Sequence, residues 1–177
     1  MATVNPDPKN IKSLPDVAIH VVLVHPDIHW NTGNAGRTCL AAGATLHLIE
    51  PLGFSLDAAQ VTRAGLDYWE HVDLRVWPSW RAFEEQLPSF GEPYFFSTKA
   101  SQSFWDAPLG SSTGVVLIFG SETGGLPPAL HEQYRDRFVA MPILSARVRS
   151  LNLSNSVAIA TYEVLRQRRA AALVNHQ

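Results

Sequence analysis

"VAIHVVLVHPDIHWNTGNAGRTCLAAG", Val17 to Gly43, decides the fold class. Its first eight residues are continuous, β-branched and short, as in a strand buried on both faces. A turn rich in Asn, Thr and Gly follows, and Asn34 to Ala42 then reads as a helix stopped by Gly43. The turn carries a single cation, Arg37, the first since Lys12, at the predicted start of that helix. An isolated guanidinium in an uncharged loop asks for a partner outside its own segment.

The same alternation continues along the chain. "TLHLIE", "VDLRVW", "PYFFSTK", "GVVLIFG" and "RFVAMP" read as further strands. Between them, Ser55 can cap a helix through "LDAAQVTRAG", and Ser79 can cap "WRAFEEQL". Pro127 and Pro128 suit the first turn of a helix ending near Tyr134, and a last helix runs from about Asn152 to Ala172. Strands alternating with helices imply an α/β domain with a mostly parallel sheet and helices on both faces. Ligands in such sheets bind beyond the carboxyl ends of the strands. Three segments fall there: "NTGNAGR", "FGSETGGLPP" and "MPILSARVRSLNLSN".

The totals narrow the class. A chain of 177 residues favours one domain, with residues 1–15 as a polar, proline-containing tail and 16–177 as the folded unit. The longest apolar run falls far short of the roughly 20 residues that span a bilayer, and no signal-peptide core precedes it. A cytoplasmic location is the expectation. A single cysteine, Cys39, excludes an internal disulfide and a multi-cysteine zinc site. The seven histidines lack metal-ligand spacing, so they read as structural or exposed, and no metal is expected. The net charge of −2 hides an asymmetry: Arg135, Arg137, Arg147, Arg149, Arg166, Arg168 and Arg169 make the last third positive, a candidate phosphate-binding surface or a solvated face.

Each motif also has a plainer role. The glycine loop could present amides to an anion or simply turn the chain into a helix, but it lacks the Lys-Ser/Thr ending of a Walker loop. Glu122 stands out in it, because a carboxylate repels phosphate. "RSLNLSN" holds more polar residues than a helix cap needs, and the surplus could line a pocket. Trp69, Trp77, Trp80 and Trp105 read as packing residues, whereas Trp30 could stack on a base. On the last helix, Val157, Ala160 and Val164 form one apolar stripe, and Ala158, Thr161, Tyr162 and Leu165 an adjoining one. A helix apolar over more than one face packs against more than its own core, so a dimer interface is expected.

"NTGNAGRTC", "RAGLDYWE", "FGSETGGLP" and "MPILSARVRSLNLSNSVAIATYEVLRQ" together resemble the SPOUT superfamily of methyltransferases. Within it, the chain is most similar to the TrmL/YibK subfamily, which methylates the ribose 2′-hydroxyl of the tRNA wobble nucleotide, position 34, a cytidine or modified uridine. The resemblance covers about Val17 to Gln167. It implies a C-terminal deep trefoil knot, a homodimer, S-adenosylmethionine as methyl donor and the tRNA anticodon stem-loop as substrate. By motif matching it implies catalytic roles for Arg37, Glu122, Asn152 and Tyr162. Phe96, Gly120, Met141 and Ser150 would contact the donor, and Asn31, Arg37, Lys99 and Arg149 the RNA. Two other readings remain open at this point: a SPOUT 2′-O-methyltransferase acting on another tRNA position or on rRNA, and a non-catalytic RNA-binding dimer.

The ribose hydroxyl is a poor nucleophile and must lose its proton near the transition state. Arg37 is a poor base for that step, since guanidinium has no acceptor and a pKa above about 12. A charged Arg37 can instead pin the phosphate beside the target ribose.

Overall fold

The computed structural model describes residues 17–56, 67–110 and 114–174. The expected tail, residues 1–15, and nearly all of the helix expected after Ser55 lie outside them. Seven strands form one sheet: β1 (Ile19–Val24), β2 (Thr45–Ile49), β3 (Leu74–Trp77), β4 (Glu92–Phe96), β5 (Gln102–Ser103), β6 (Val115–Phe119) and β7 (Phe138–Ala140). Their order is β3-β2-β1-β6-β4-β7-β5, and every pairing is parallel. The two-residue β5 was not expected from the sequence. It is too short to show a period and is held by its register, Ser103 opposite Ala140.

Residues of the central strands alternate between two cores. Val21 and Leu23 of β1, with Leu117 and Phe119 of β6, face α1 (His29–Ala42) and the long α5 (Leu153–Val174). There they meet Ala35 and Cys39 of α1 and Val157, Ala160 and Val164 of α5. Val22, Val24, Val116 and Ile118 point the other way, toward α2 (Trp80–Glu84), α3 (Leu87–Phe90) and α4 (Pro128–Gln133). Burial on both faces is why β1 and β6 read as unbroken apolar runs.

The second core also encloses a polar chain. Trp77 Nε1 donates to His47 Nδ1 at 3.0 Å, which leaves His47 Nε2 to carry the proton toward His20 Nδ1, 2.9 Å away. His47 has no exposed surface, and burial pushes its pKa down to about 3, with His20 and Arg75 adding to the fall.

One expectation is corrected. "NTGNAGR" is not a loop: α1 begins at His29, five residues early, and Arg37 lies well inside it. The amides of Asn31 and Thr32 bond the carbonyl of Ile28 at 3.1 and 3.2 Å. Gly36 serves packing here: a Cβ on it would stand 2.6 Å from the Trp69 ring. The helix stops where expected, at Gly43, whose φ of 66° is left-handed and whose N–H bonds back to Cys39 and Leu40. Ser79 caps α2 by accepting from the Ala82 amide at 3.3 Å. No described helix is long and apolar enough to cross a membrane.

Candidate functional site

Parallel strands place the ends of β1, β4, β6 and β7 on one edge of the sheet. A cleft of about 710 Å³ opens there. Its walls come from the start of α1, the segment after β4, the glycine loop after β6, and the long connection from Met141 to α5. Nine residues expected at the site border it: Asn31, Phe96, Lys99, Gly120, Glu122, Met141, Arg149, Ser150 and Asn152.

Three of the nine are joined by hydrogen bonds. Asn31 Nδ2 donates to Glu122 Oε1 at 2.7 Å, and Asn152 Nδ2 donates to Asn31 Oδ1 at 2.9 Å. Asn152 Oδ1 in turn accepts from the amides of Ser154 and Asn155 and from the Ser154 hydroxyl, capping α5. The other Glu122 oxygen accepts from the Asp27 amide at 2.8 Å. Both carboxylate oxygens are therefore engaged, and the amide of Asn31 has one orientation only. Glu122 ties the glycine loop to the β1–α1 segment directly and, through Asn31, to the start of α5.

The glycine loop is closed upon itself. Ser121 and Gly125 exchange backbone bonds at 3.2 and 3.0 Å, Gly124 N–H donates to Ser121 Oγ, and Thr123 N–H donates to Asp27. Those amides are not free to cradle a phosphate, which removes the reason to expect an anion in a loop that carries Glu122. Gly120 is required for close approach, because a Cβ there would enter the backbone of Gly125 and Leu126. The floor of the cleft is aromatic: Phe96 stacks on Phe119 with centroids 4.6 Å apart. Two exposed cations border it, Lys99 after β4 and Arg149 in the connection to α5. His131 also lines the cleft, and burial with the nearby Lys99 charge pulls its pKa below the usual imidazole value.

Two expected residues do not line this cleft. Tyr162 points outward from α5, about half exposed. Arg37 lies six residues beyond Asn31, about 120° away around the helix axis. Its guanidinium sits 4.3 Å over the Tyr68 ring, whose hydroxyl donates to the Gly33 carbonyl.

The basic last third is also less free than its composition suggests. Arg137 pairs with Glu92, Arg166 with Glu163, and Arg168 is buried, donating to the carbonyls of Val17 and Ala18. Asp27, Thr123, Tyr68 and His131 were missed by sequence reading. Asp27 had a signal: it is the one carboxylate between the end of β1 and α1, at the edge where ligands bind. Among the described residues, no group of three or more His, Cys, Asp or Glu could hold a metal ion.

Known proteins share the family and the fold. Residues 18–162 match the profile of the SpoU rRNA Methylase family. A Burkholderia cenocepacia protein named tRNA (cytidine(34)-2'-O)-methyltransferase is 47% identical over 150 residues, 84% of this chain and 94% of that protein. A solved structure concerned with the 2-OH methylation of C/U34 on tRNA is 43% identical, with a TM-score of 0.74, covering 85% of this chain and 96% of the other. An AdoMet-bound rRNA methyltransferase from Sinorhizobium meliloti shares the fold at a TM-score of 0.73 and 23% identity, over 86% of this chain and 58% of that one.

Proposed function

The chain belongs to the SpoU rRNA Methylase family, and on that premise we propose that it transfers a methyl group from S-adenosylmethionine to the ribose 2′-hydroxyl of nucleotide 34 in the tRNA anticodon loop. The observation that carries this reading is the cleft, in which Asn31, Glu122 and Asn152 from three distant motifs are bonded in one chain. The relative at 47% identity, named for cytidine 34, supports the position.

The residues present fit the donor. The cleft lies within the roughly 300–1,000 Å³ typical of small-ligand sites. Phe96 and Met141 offer apolar contact to an adenosine, and the missing side chain at Gly120 lets the loop fold tightly on Gly125 and Leu126 and so form this wall. Ser150 supplies a hydroxyl on the same wall. When bound, S-adenosylmethionine supplies a methyl activated on a sulfonium.

The chain itself holds and orients. Asn31 and Asn152 fix the α1 and α5 ends of the cleft, and Glu122 holds Asn31. Lys99 and Arg149 attract RNA phosphates at the rim. Arg37, set off the cleft, acts as a clamp on the backbone flanking the target ribose, and a flanking contact suits a charge better than a base. Asn152 positions α5, and Tyr162 belongs to a dimer surface. That surface includes Ile159 and Tyr162 of α5 and Leu40 of α1, apolar or aromatic side chains left exposed on two helices packed together. The homodimer, a cytoplasmic setting and a C-terminal trefoil knot complete the proposal. The sheet order β6-β4-β7, out of chain sequence, and the connection from Met141 to Asn152 along the cleft support the knot.

Incubation with methyl-labelled S-adenosylmethionine and an anticodon stem-loop tests the reaction. Label is expected in the RNA and absent when nucleotide 34 is 2′-deoxy. Equal labelling of the deoxy substrate would exclude ribose methylation at that position.

A further inference from the structure

A file of four aromatic rings leads out of the cleft. Phe119 and Phe96 stack at 4.6 Å on its floor, Phe104 follows at 6.3 Å from Phe96, and Trp105 at 5.8 Å from Phe104. The first three are buried or half-buried, with Phe104 only 2% exposed. Trp105 is 64% exposed, more than any other aromatic among the described large hydrophobics. Leaving an indole in water forgoes a large burial gain, so its exposure calls for an explanation.

The exposure is built in. Trp105 N–H donates to Ser103 Oγ at 3.2 Å, and the Ala107 amide closes the turn on the Phe104 carbonyl. Gln167 of α5 bolts the turn down, donating to the Ala107 carbonyl at 3.1 Å and accepting from the Gly110 amide at 2.9 Å. Ala107 and Leu109 are buried beneath it. The ring therefore projects from a rigid support. Its place is also fixed: Ser103 of β5 lies opposite Ala140 of β7, and the next residue, Met141, lines the cleft. Trp105, just past the end of β5, thus stands at the same carboxyl edge of the sheet, outside the residues that line the cleft.

We propose that Trp105 is a positioning residue for the RNA, a platform on which a base of the single-stranded loop next to the target nucleotide stacks. This rests on the anticodon-loop reading above. Bases of single-stranded loops are splayed and stack readily on aromatic side chains. A base held on Trp105 fixes the loop where its ribose neighbour enters the cleft. The ring touches no reacting atom, so it acts on substrate affinity and leaves the chemical step alone.

The test compares wild type with Trp105→Ala and Trp105→Phe in the full chain. Steady-state methylation of an anticodon stem-loop, direct stem-loop binding by fluorescence anisotropy, S-adenosylmethionine titration and thermal melting are measured for each. Trp105→Ala is expected to raise KM and the stem-loop Kd about 5- to 100-fold, with kcat within about twofold and donor affinity and melting unchanged; Trp105→Phe regains most of the loss. Unchanged KM and Kd in the alanine variant would overturn the proposal. So would a loss that phenylalanine does not restore and that comes with weaker donor binding, since that marks a structural role. If the wild type binds the stem-loop but transfers no methyl, the anticodon-loop reading fails, and anisotropy alone still decides Trp105.

Discussion

Asn31 and Glu122, 91 residues apart, are joined by a 2.7 Å hydrogen bond that locks the start of α1 to the glycine loop. Asn31 can serve there only as an amide, because its nitrogen faces a carboxylate while its oxygen accepts from Asn152. Asn31→Asp sets two carboxylates face to face, and we expect it to cost about 2 kcal/mol of stability and most donor binding. Adding Glu122→Gln restores a donor–acceptor pair. Urea unfolding of the two single variants and the double variant measures the coupling; strictly additive losses would show that the pair does not interact.

Gly120 and Gly91 separate a cleft effect from a general one. A Cβ at Gly120 meets the backbone of Gly125 and Leu126, and one at Gly91, where φ is 129°, meets Gly114. Both alanine variants should lose about 1–3 kcal/mol. Only Gly120→Ala, which displaces the cleft wall, should also weaken S-adenosylmethionine binding at least about tenfold at a temperature where both variants are folded, as calorimetric titration would read.

The buried histidine chain makes stability depend on pH. His47 is held neutral, its pKa near 3 and below the unfolded value near 6.5, and burial lowers His20 as well. The unfolded chain therefore takes up protons first. The contribution is full above about pH 6.5 and falls as pH drops toward 3. The protein should be about 1–2 kcal/mol less stable at pH 5.5 than at pH 7.5. In His47→Gln the slope over this range should flatten; an unchanged slope would assign the pH dependence elsewhere.

Arg37 distinguishes a charge from a base. Arg37→Ala should lower kcat/KM for tRNA by about 10²–10³, and Arg37→Lys should keep a substantial part of the activity. Methylation kinetics alongside RNA binding test this. A lysine variant as inactive as alanine, with RNA binding intact, would require the planar guanidinium itself.

The buried strands were legible because burial on both faces leaves a plain mark: β1 and β6 are almost wholly apolar. The stop of α1 at Gly43 was legible for a local reason, the left-handed φ. Its start was not. Asn31, Thr32 and Gly33 look like turn residues in sequence, yet they lie within α1, where the Asn31 side chain is held by Glu122 and Asn152 from distant segments. Likewise, resemblance named the residues of the cleft, but only the fold shows that Arg37 stands away from it on the Tyr68 ring. Such pairings join residues far apart in the chain, which periodicity cannot report.

The central claim is that this cleft directs a methyl group to one sugar oxygen of tRNA. Total tRNA from a strain lacking the corresponding activity, treated with the protein and S-adenosylmethionine, should gain a single 2′-O-methyl nucleotide on nuclease mapping by mass spectrometry, at position 34. A new methyl on a base, or on a ribose elsewhere in the tRNA, would contradict it.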